Sequence, residues 1–165
     1  MNTEFKLFGG EIIPDVQQYV RQFTIDHPDV DIYIGADSQT YKRHIEFASV
    51  ICFQFPNKGV HIIFRREKVM KKELKVGTPD DKHDWKNIIF KKLWKEVEMS
   101  LEAALLIRDY TDKEITVDLD FNGNSAHESN MVYDAGRGYI IANGFKCRLK
   151  PHAWAASSAA DDLLR

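Results

Sequence analysis

Apolar residues recur along this chain at two spacings, and the switches between them mark its elements. Val16, Tyr19, Val20 and Phe23 follow Pro14 at helical spacing, and proline is a favoured first helical residue. His27-Pro28-Asp29 ends that helix. The period then drops to two. Residues 31–39 form a first strand candidate. Residues 44–55 form a second, in which Ile45, Phe47, Ser49, Ile51, Phe53 and Phe55 alternate with another set. Pro56-Asn57-Lys58-Gly59 is a tight turn into a third strand over residues 60–68. Short connections between three successive strands predict an antiparallel meander.

Residues 70–83 are polar and basic, with Gly77-Thr78-Pro79 in the middle, and form a long connection of the kind that carries function or moves. A helix is predicted over residues 84–110, with Asp84 as N-cap and Phe90, Trp94, Val97, Leu101 and Leu105 as its apolar stripe. Residues 114–121 are a fourth strand, broken by Asn122-Gly123-Asn124. Residues 129–143 are helical, with Gly144 placed to stop them. Residues 145–149 are a short fifth strand, and residues 155–165 a last helix. The order is a helix followed by β-β-β-α-β-α-β-α, which predicts an α/β protein with a mixed sheet covered by helices.

Composition narrows this further. A chain of 165 residues is the size of one domain and can bury a core without staples. Residues 1–165 are read as that domain, with residues 1–30 as an N-terminal helical extension. At 44% hydrophobic and 29% charged, the chain has a globular composition. No apolar run is long enough to span a bilayer. The first ten residues carry an acid where a signal peptide wants bases, so a cytoplasmic protein is expected. Cys52 and Cys147 are then buried thiols, not a disulfide. The net charge of −2 speaks mildly against a dedicated nucleic-acid binder, but Arg65, Arg66, Lys68, Lys71, Lys72 and Lys75 crowd one segment. That segment is either a solvated basic loop or a phosphate-steering patch.

Acids supply the candidate chemistry. Asp37 lies in the first strand, Glu98 in the long helix, Asp120 in the fourth strand and Asp161 in the last helix. Asp118 and Asp120 share one strand face, and an acid on a core strand needs a cation, a donor or water. Gly35, two residues before Asp37, leaves room for a neighbour on that face. At about 100° per residue from Trp94, Glu98 falls about 40° away, at the edge of the apolar stripe. Glu102 falls about 80° away and Glu96 nearly opposite. Glu98 is therefore expected to reach the sheet, Glu102 is second, and Glu96 is expected in solvent. The alternative is that Glu98 pairs with Lys95 or is a surface acid. Phosphodiester hydrolysis needs an activated water and a neutralised leaving oxygen, and two divalent ions about 4 Å apart supply both. Hard cations take oxygen ligands, which suits carboxylates.

Four segments carry a resemblance. They are Gly35-Ala36-Asp37-Ser38-Gln39, residues 94–102 from Trp94 to Glu102, Asp118-Leu119-Asp120-Phe121-Asn122, and residues 150–157 from Lys150 to Ser157. In this order they resemble the ribonuclease H-like superfamily, and more narrowly its YkuK family, from Asp31 onward. The resemblance implies a ribonuclease H-like fold with a five-stranded mixed sheet, strands one to three antiparallel, and Mg²⁺ or Mn²⁺ as cofactor. By position it implies Asp37, Glu98, Asp120 and Asp161 as metal ligands and catalytic residues, with Asp118 as alternate for Asp120. It implies His152 as a mobile histidine assisting product release; a surface histidine packed on Trp154 is the competing reading.

Other motifs carry less. Asp118-x-Asp120-x-Asn122-Gly123 opens like a calcium loop, but Ser129 stands where a bidentate glutamate belongs. Ser38 and Ser157 lack a relay. Gly136-Arg137-Gly138 is read as small residues that let their helix approach the sheet. The expected function is a two-metal nuclease acting on RNA, an RNA–DNA hybrid or structured DNA. The alternative is a non-catalytic nucleic-acid-binding module on the same fold.

Overall fold

The computed structural model describes residues 4–57, 59–74, 81–120, 127–150 and 152–165; for residues 81–86, 127–131, 156 and 157 only the backbone is described. The chain runs β1 (Lys6–Leu7), α1 (Val16–Asp26), β2 (Asp31–Thr40), β3 (His44–Gln54), β4 (Val60–Met70), α2 (Lys71–Leu74), α3 (Asp81–Ile107), β5 (Ile115–Leu119), α4 (His127–Ala142), β6 (Lys146–Leu149) and α5 (Asp161–Leu164). A 3₁₀ turn over Arg108–Tyr110 closes α3, and a π-helical stretch over Ala155–Ala160 leads into α5.

The strands form one mixed sheet in the order β1-β4-β3-β2-β5-β6. It has six strands where the sequence predicts five. The extra one, β1, is two residues long and pairs antiparallel with β4. Strands β2, β3 and β4 are the antiparallel meander, while β5 and β6 run parallel to β2.

Strand alternation sorts side chains onto two faces. On one, Ile32, Ile34, Ile51, Phe53 and Val117 are buried with Val20 of α1, Val97, Ala104 and Ile107 of α3, and Val132 and Ile140 of α4. On the other, Tyr33, Val50, Cys52 and Phe64 meet Ala155, Ala159, Ala160 and Trp154 of the C-terminal segment. The sheet is thus the middle of three layers. Cys52 is buried, Cys147 half-buried, and both are free thiols. Asp15 caps α1, its carboxylate accepting from the Gln18 N–H at 3.1 Å. Gly144, at φ +89°, takes the left-handed turn that ends α4. Among the described residues, no helix is long and apolar enough to cross a membrane.

Candidate active site

The parallel pairing of β2 with β5 sets Gly35 opposite Asp118. Two residues further on lie Asp37, still within β2, and Asp120, just past the end of β5. Alternation keeps both on the face covered by the C-terminal segment. They sit at the carboxyl ends of adjacent parallel strands, where α/β sheets collect ligands. Ala155, Ala159 and Ala160 pack closely on β2 and β3 because they are small, and α5 opens with Asp161 directly after them. Asp37 feels the charge of both Asp120 and Asp161. Three acids from distant parts of the chain therefore converge.

The fourth acid is Glu96, not Glu98. Glu96 is only 6% exposed and accepts a short hydrogen bond from the Ser38 hydroxyl. Ser38 follows Asp37 and so points to the α3 side of the sheet, and Glu96 reaches the end of β2 from there. Glu98 is exposed and lines a shallow groove with Leu101, Glu102, Leu105 and Tyr139. The angular argument failed because α3 is apolar on two sides. Trp94 stacks toward Tyr139 of α4, ring centroids 6.0 Å apart. A Cβ built on Gly136 of α4 would lie 2.9 Å from Val97 Cγ2, so the helices touch there. Trp94 and Val97 mark the α4 contact, whereas Met99, Ser100, Ala103 and Ile107, all buried, share the side of α3 that carries Glu96. The sequence reading has Gly136 and Gly138 easing approach to the sheet; instead Gly136 lets α4 approach α3, and nothing approaches a Cβ at Gly138 within 4 Å.

The remaining candidates separate cleanly. Asp118 is fully buried, and four donors converge on it. The Arg148 guanidinium donates to both oxygens at 2.7 and 2.8 Å, and the Trp154 and Ala155 N–H groups donate at 3.0 and 2.9 Å. Arg148 also lies 3.9 Å over the Tyr33 ring. Asp118 thereby ties β6 to the start of the C-terminal segment and is not an open ligand alternate to Asp120. Glu102 accepts from Arg65 at 2.9 Å and stands apart from the acid cluster. Arg65 is 6% exposed and also donates to Ser49 and to the Met99 carbonyl, so it is a core tether and not a surface phosphate ligand. Arg66 and Lys68 are exposed on the opposite face; Lys71 and Lys72 begin α2; Lys75 lies outside the described residues. His152 is exposed on the turn after β6, its N–H donating to the Leu149 carbonyl at 2.8 Å.

Electrostatically the cluster is under-provided. Burial pushes the Glu96 carboxyl up to about 8; the Ser38 hydrogen bond and Lys92 oppose this, and the charges of Asp37 and Asp120 add to it. Burial likewise pushes Asp37 up to about 6, against the Ser38 N–H and Lys92 and with Asp120 and Asp161. Asp120 Oδ1 is buried without an aligned hydrogen-bond donor, and the Lys150 ammonium sits 2.5 Å from it. Arg165 donates to Asp161 at 2.6 Å. Sequence reasoning missed Ser38, Glu96, Lys92 and Lys150. One signal was available: Lys92 stands one helical turn before Glu96.

These residues suit a hard divalent cation in donor type and in their mutual repulsion, with Lys150 as the one cation now at the Asp120 oxygen. Among the described residues, no three acids, histidines or cysteines are already gathered into a coordination cage. A groove of about 540 Å³, lined by Arg21, Tyr110 and Lys113 among others, lies by the amino ends of β2 and β5, away from these acids.

The sheet order, the crossovers and the acids at the strand ends define a ribonuclease H-like architecture. Residues 11–165 match the model of the ribonuclease H-like family, and the chain belongs to that family. No curated protein and no solved structure matches it.

Proposed function

We propose that the chain is a metal-dependent nuclease that hydrolyses phosphodiester bonds in RNA, an RNA–DNA hybrid or structured DNA, within the YkuK branch of its family. Asp37, Glu96, Asp120 and Asp161 are the ligand set, for two Mg²⁺ or Mn²⁺ ions. Bound divalent ions would activate the attacking water and neutralise the leaving oxygen. The chain's own residues do the rest. Ser38 fixes the Glu96 carboxyl, and the Ser38 N–H fixes Asp37 at 2.8 Å. Burial pushes the Glu96 carboxyl up to about 8, so a divalent ion bound there would compete with a proton near neutral pH. Lys150 and Lys92 offset the clustered charge and are positioned to meet a phosphate. His152, exposed two residues beyond Lys150, is available to move a proton at the rim.

The observation that carries this reading is the convergence of acids from β2, α3, β5 and α5 into one electrostatically coupled group. The test is Mn²⁺-dependent cleavage of labelled RNA, hybrid and branched DNA by the parent and by Asp37→Asn. Cleavage by the parent alone supports the reading; equal cleavage by both assigns it to a contaminant or another site.

A non-catalytic nucleic-acid-binding module is the second reading. The 2.5 Å approach of Lys150 to Asp120 favours it, because an ammonium held there can stand in for a cation. Salt-dependent nucleic-acid binding with no Mn²⁺ shift in a thermal melt would support that alternative.

A further inference from the structure

The antiparallel register extends the face that bears Asp37 into an uncovered platform. Residues directly opposite one another share a face. Asp37 faces Ala48, which faces Arg66. The next rung on that face is Gln39, Glu46 and Lys68. One rung further, His44 faces Met70, and the Tyr41 N–H donates to the His44 carbonyl at 2.9 Å where the hairpin closes. The C-terminal segment covers the other half of this face, over Tyr33, Val50 and Cys52; Ala48 at the middle of the Asp37 rung is buried, and the face opens from there outward, at Arg66 on the edge side and along the Gln39–Glu46–Lys68 rung. Arg66 is 46% exposed, and Gln39 and Lys68 are exposed beside it.

Two features of the platform point to one occupant. The first is charge. Arg66, Lys68, Lys42 and Arg43 are all exposed at this end of the sheet, in a chain whose net charge is −2. The acid on the ladder, Glu46, is already met by Arg66 and by His44, each at 3.3 Å. The second is an aromatic step. The Tyr41 ring lies on the His44 ring at 4.8 Å and 16°, and Tyr41 remains 38% exposed. Strands are about 4.8 Å apart and advance about 3.3 Å per residue. Arg66 is therefore about 10 Å across the sheet from Asp37, and Tyr41 about 13 Å along it. Both are within a few nucleotides of the acid cluster.

We infer that this open end of the sheet face seats a single-stranded segment of nucleic acid, with a base stacked on Tyr41 and phosphates on Arg66 and Lys68, and leads the strand to the acids. The inference rests on the nuclease reading for the fate of the strand, but the seat itself is defined by Tyr41, Arg66 and Lys68. Base stacking on an exposed ring needs an unpaired base, and it tolerates any sequence because every base has a π face. A paired duplex keeps its bases turned inward and would use only the cations.

The experiment is fluorescence anisotropy at low salt in the Asp37→Asn background, which stops cleavage. The probes are labelled oligo-dT and oligo-U of about 15 nucleotides, within the range of single-strand sites, with matched duplex DNA and hybrid. Single strands should bind at least fivefold tighter than either duplex. Tyr41→Ala should weaken single-strand binding by about tenfold, and Tyr41→Phe should restore it. Arg66→Ala with Lys68→Ala should lower the salt slope by about 1 to 1.5. Lys146→Ala, on the edge strand beside Glu114, should change nothing. No single-strand binding by the parent, a preference for duplex, or parental binding by Tyr41→Ala would overturn the seat. Cleavage with Mn²⁺ in the Asp37-intact protein separates the two ideas. Cleavage that persists while the platform variants bind like the parent removes the seat and leaves the nuclease. Platform-dependent binding with no cleavage removes the nuclease and leaves the seat.

Discussion

Asp118 near the end of β5 and Asp120 just past it are two residues apart, and the protein treats them in opposite ways. Asp118 is surrounded by four donors, including the fork of Arg148 and two backbone N–H groups of the C-terminal segment. Asp120 has a buried oxygen with no aligned donor and only the Lys150 ammonium beside it. A buried carboxylate fully met by protein donors holds the fold together. One met by a single, partly exposed lysine can exchange that partner for a bound cation. The same contrast runs along α3. Glu102 is matched by Arg65, while Glu96 has one hydroxyl donor and like-charged neighbours.

The sharpest way to break this comparison is Asp118→Ala. It strands Arg148 and frees two N–H groups, and should cost about 3 kcal/mol in urea unfolding, the scale for breaking a buried pair. A loss below about 0.5 kcal/mol would mean Asp118 is not the tether described. Gly136→Ala comes next. Its methyl would meet Val97 at 2.9 Å, so despite the gain in helix propensity a net loss of about 1 kcal/mol is expected by thermal melt.

The acid cluster should show the reverse sign. Glu96 and Asp37 titrate higher in the folded protein than in the unfolded chain, to about 8 and about 6. Between their unfolded and folded values the native state binds more protons, so without divalent ions stability should fall as pH rises from about 4.5 to about 8. Glu96→Gln should flatten that slope and melt a few degrees above the parent at alkaline pH in EDTA, with little difference at acid pH. A parental slope in Glu96→Gln would show that Glu96 is not the group carrying the penalty. Glu98→Gln, at an exposed position, should stay within about 0.5 kcal/mol of the parent.

Much of this geometry was legible in the chain, and the failures share a cause. Strand alternation and the order of elements lead to the mixed sheet, because a period of two leaves little freedom once the strands pair; that Asp37 and Asp120 meet was implied by the family resemblance alone. Helix α3 was harder. Trp94 and Val97 of its apolar stripe meet α4, so an angle measured from Trp94 pointed to the wrong layer and selected Glu98 over Glu96. The basic run divides at Arg65 for a related reason. Arg65 and Arg66 are adjacent on β4 and therefore face opposite sides, one tethering α3 and the other open to solvent. Strand β1 escaped notice because two residues carry no periodicity, and its pairing with β4 is a tertiary event. The π-helical stretch before Asp161 likewise follows from packing small alanines onto the sheet and not from local propensity.

The account turns on which glutamate of α3 completes the acid group, and a Mn²⁺ titration followed by thermal melting tests this directly. The parent and Glu98→Gln should gain melting temperature with added Mn²⁺, and Glu96→Gln should gain little or none. Loss of the Mn²⁺ shift in Glu98→Gln, with the shift intact in Glu96→Gln, would contradict it.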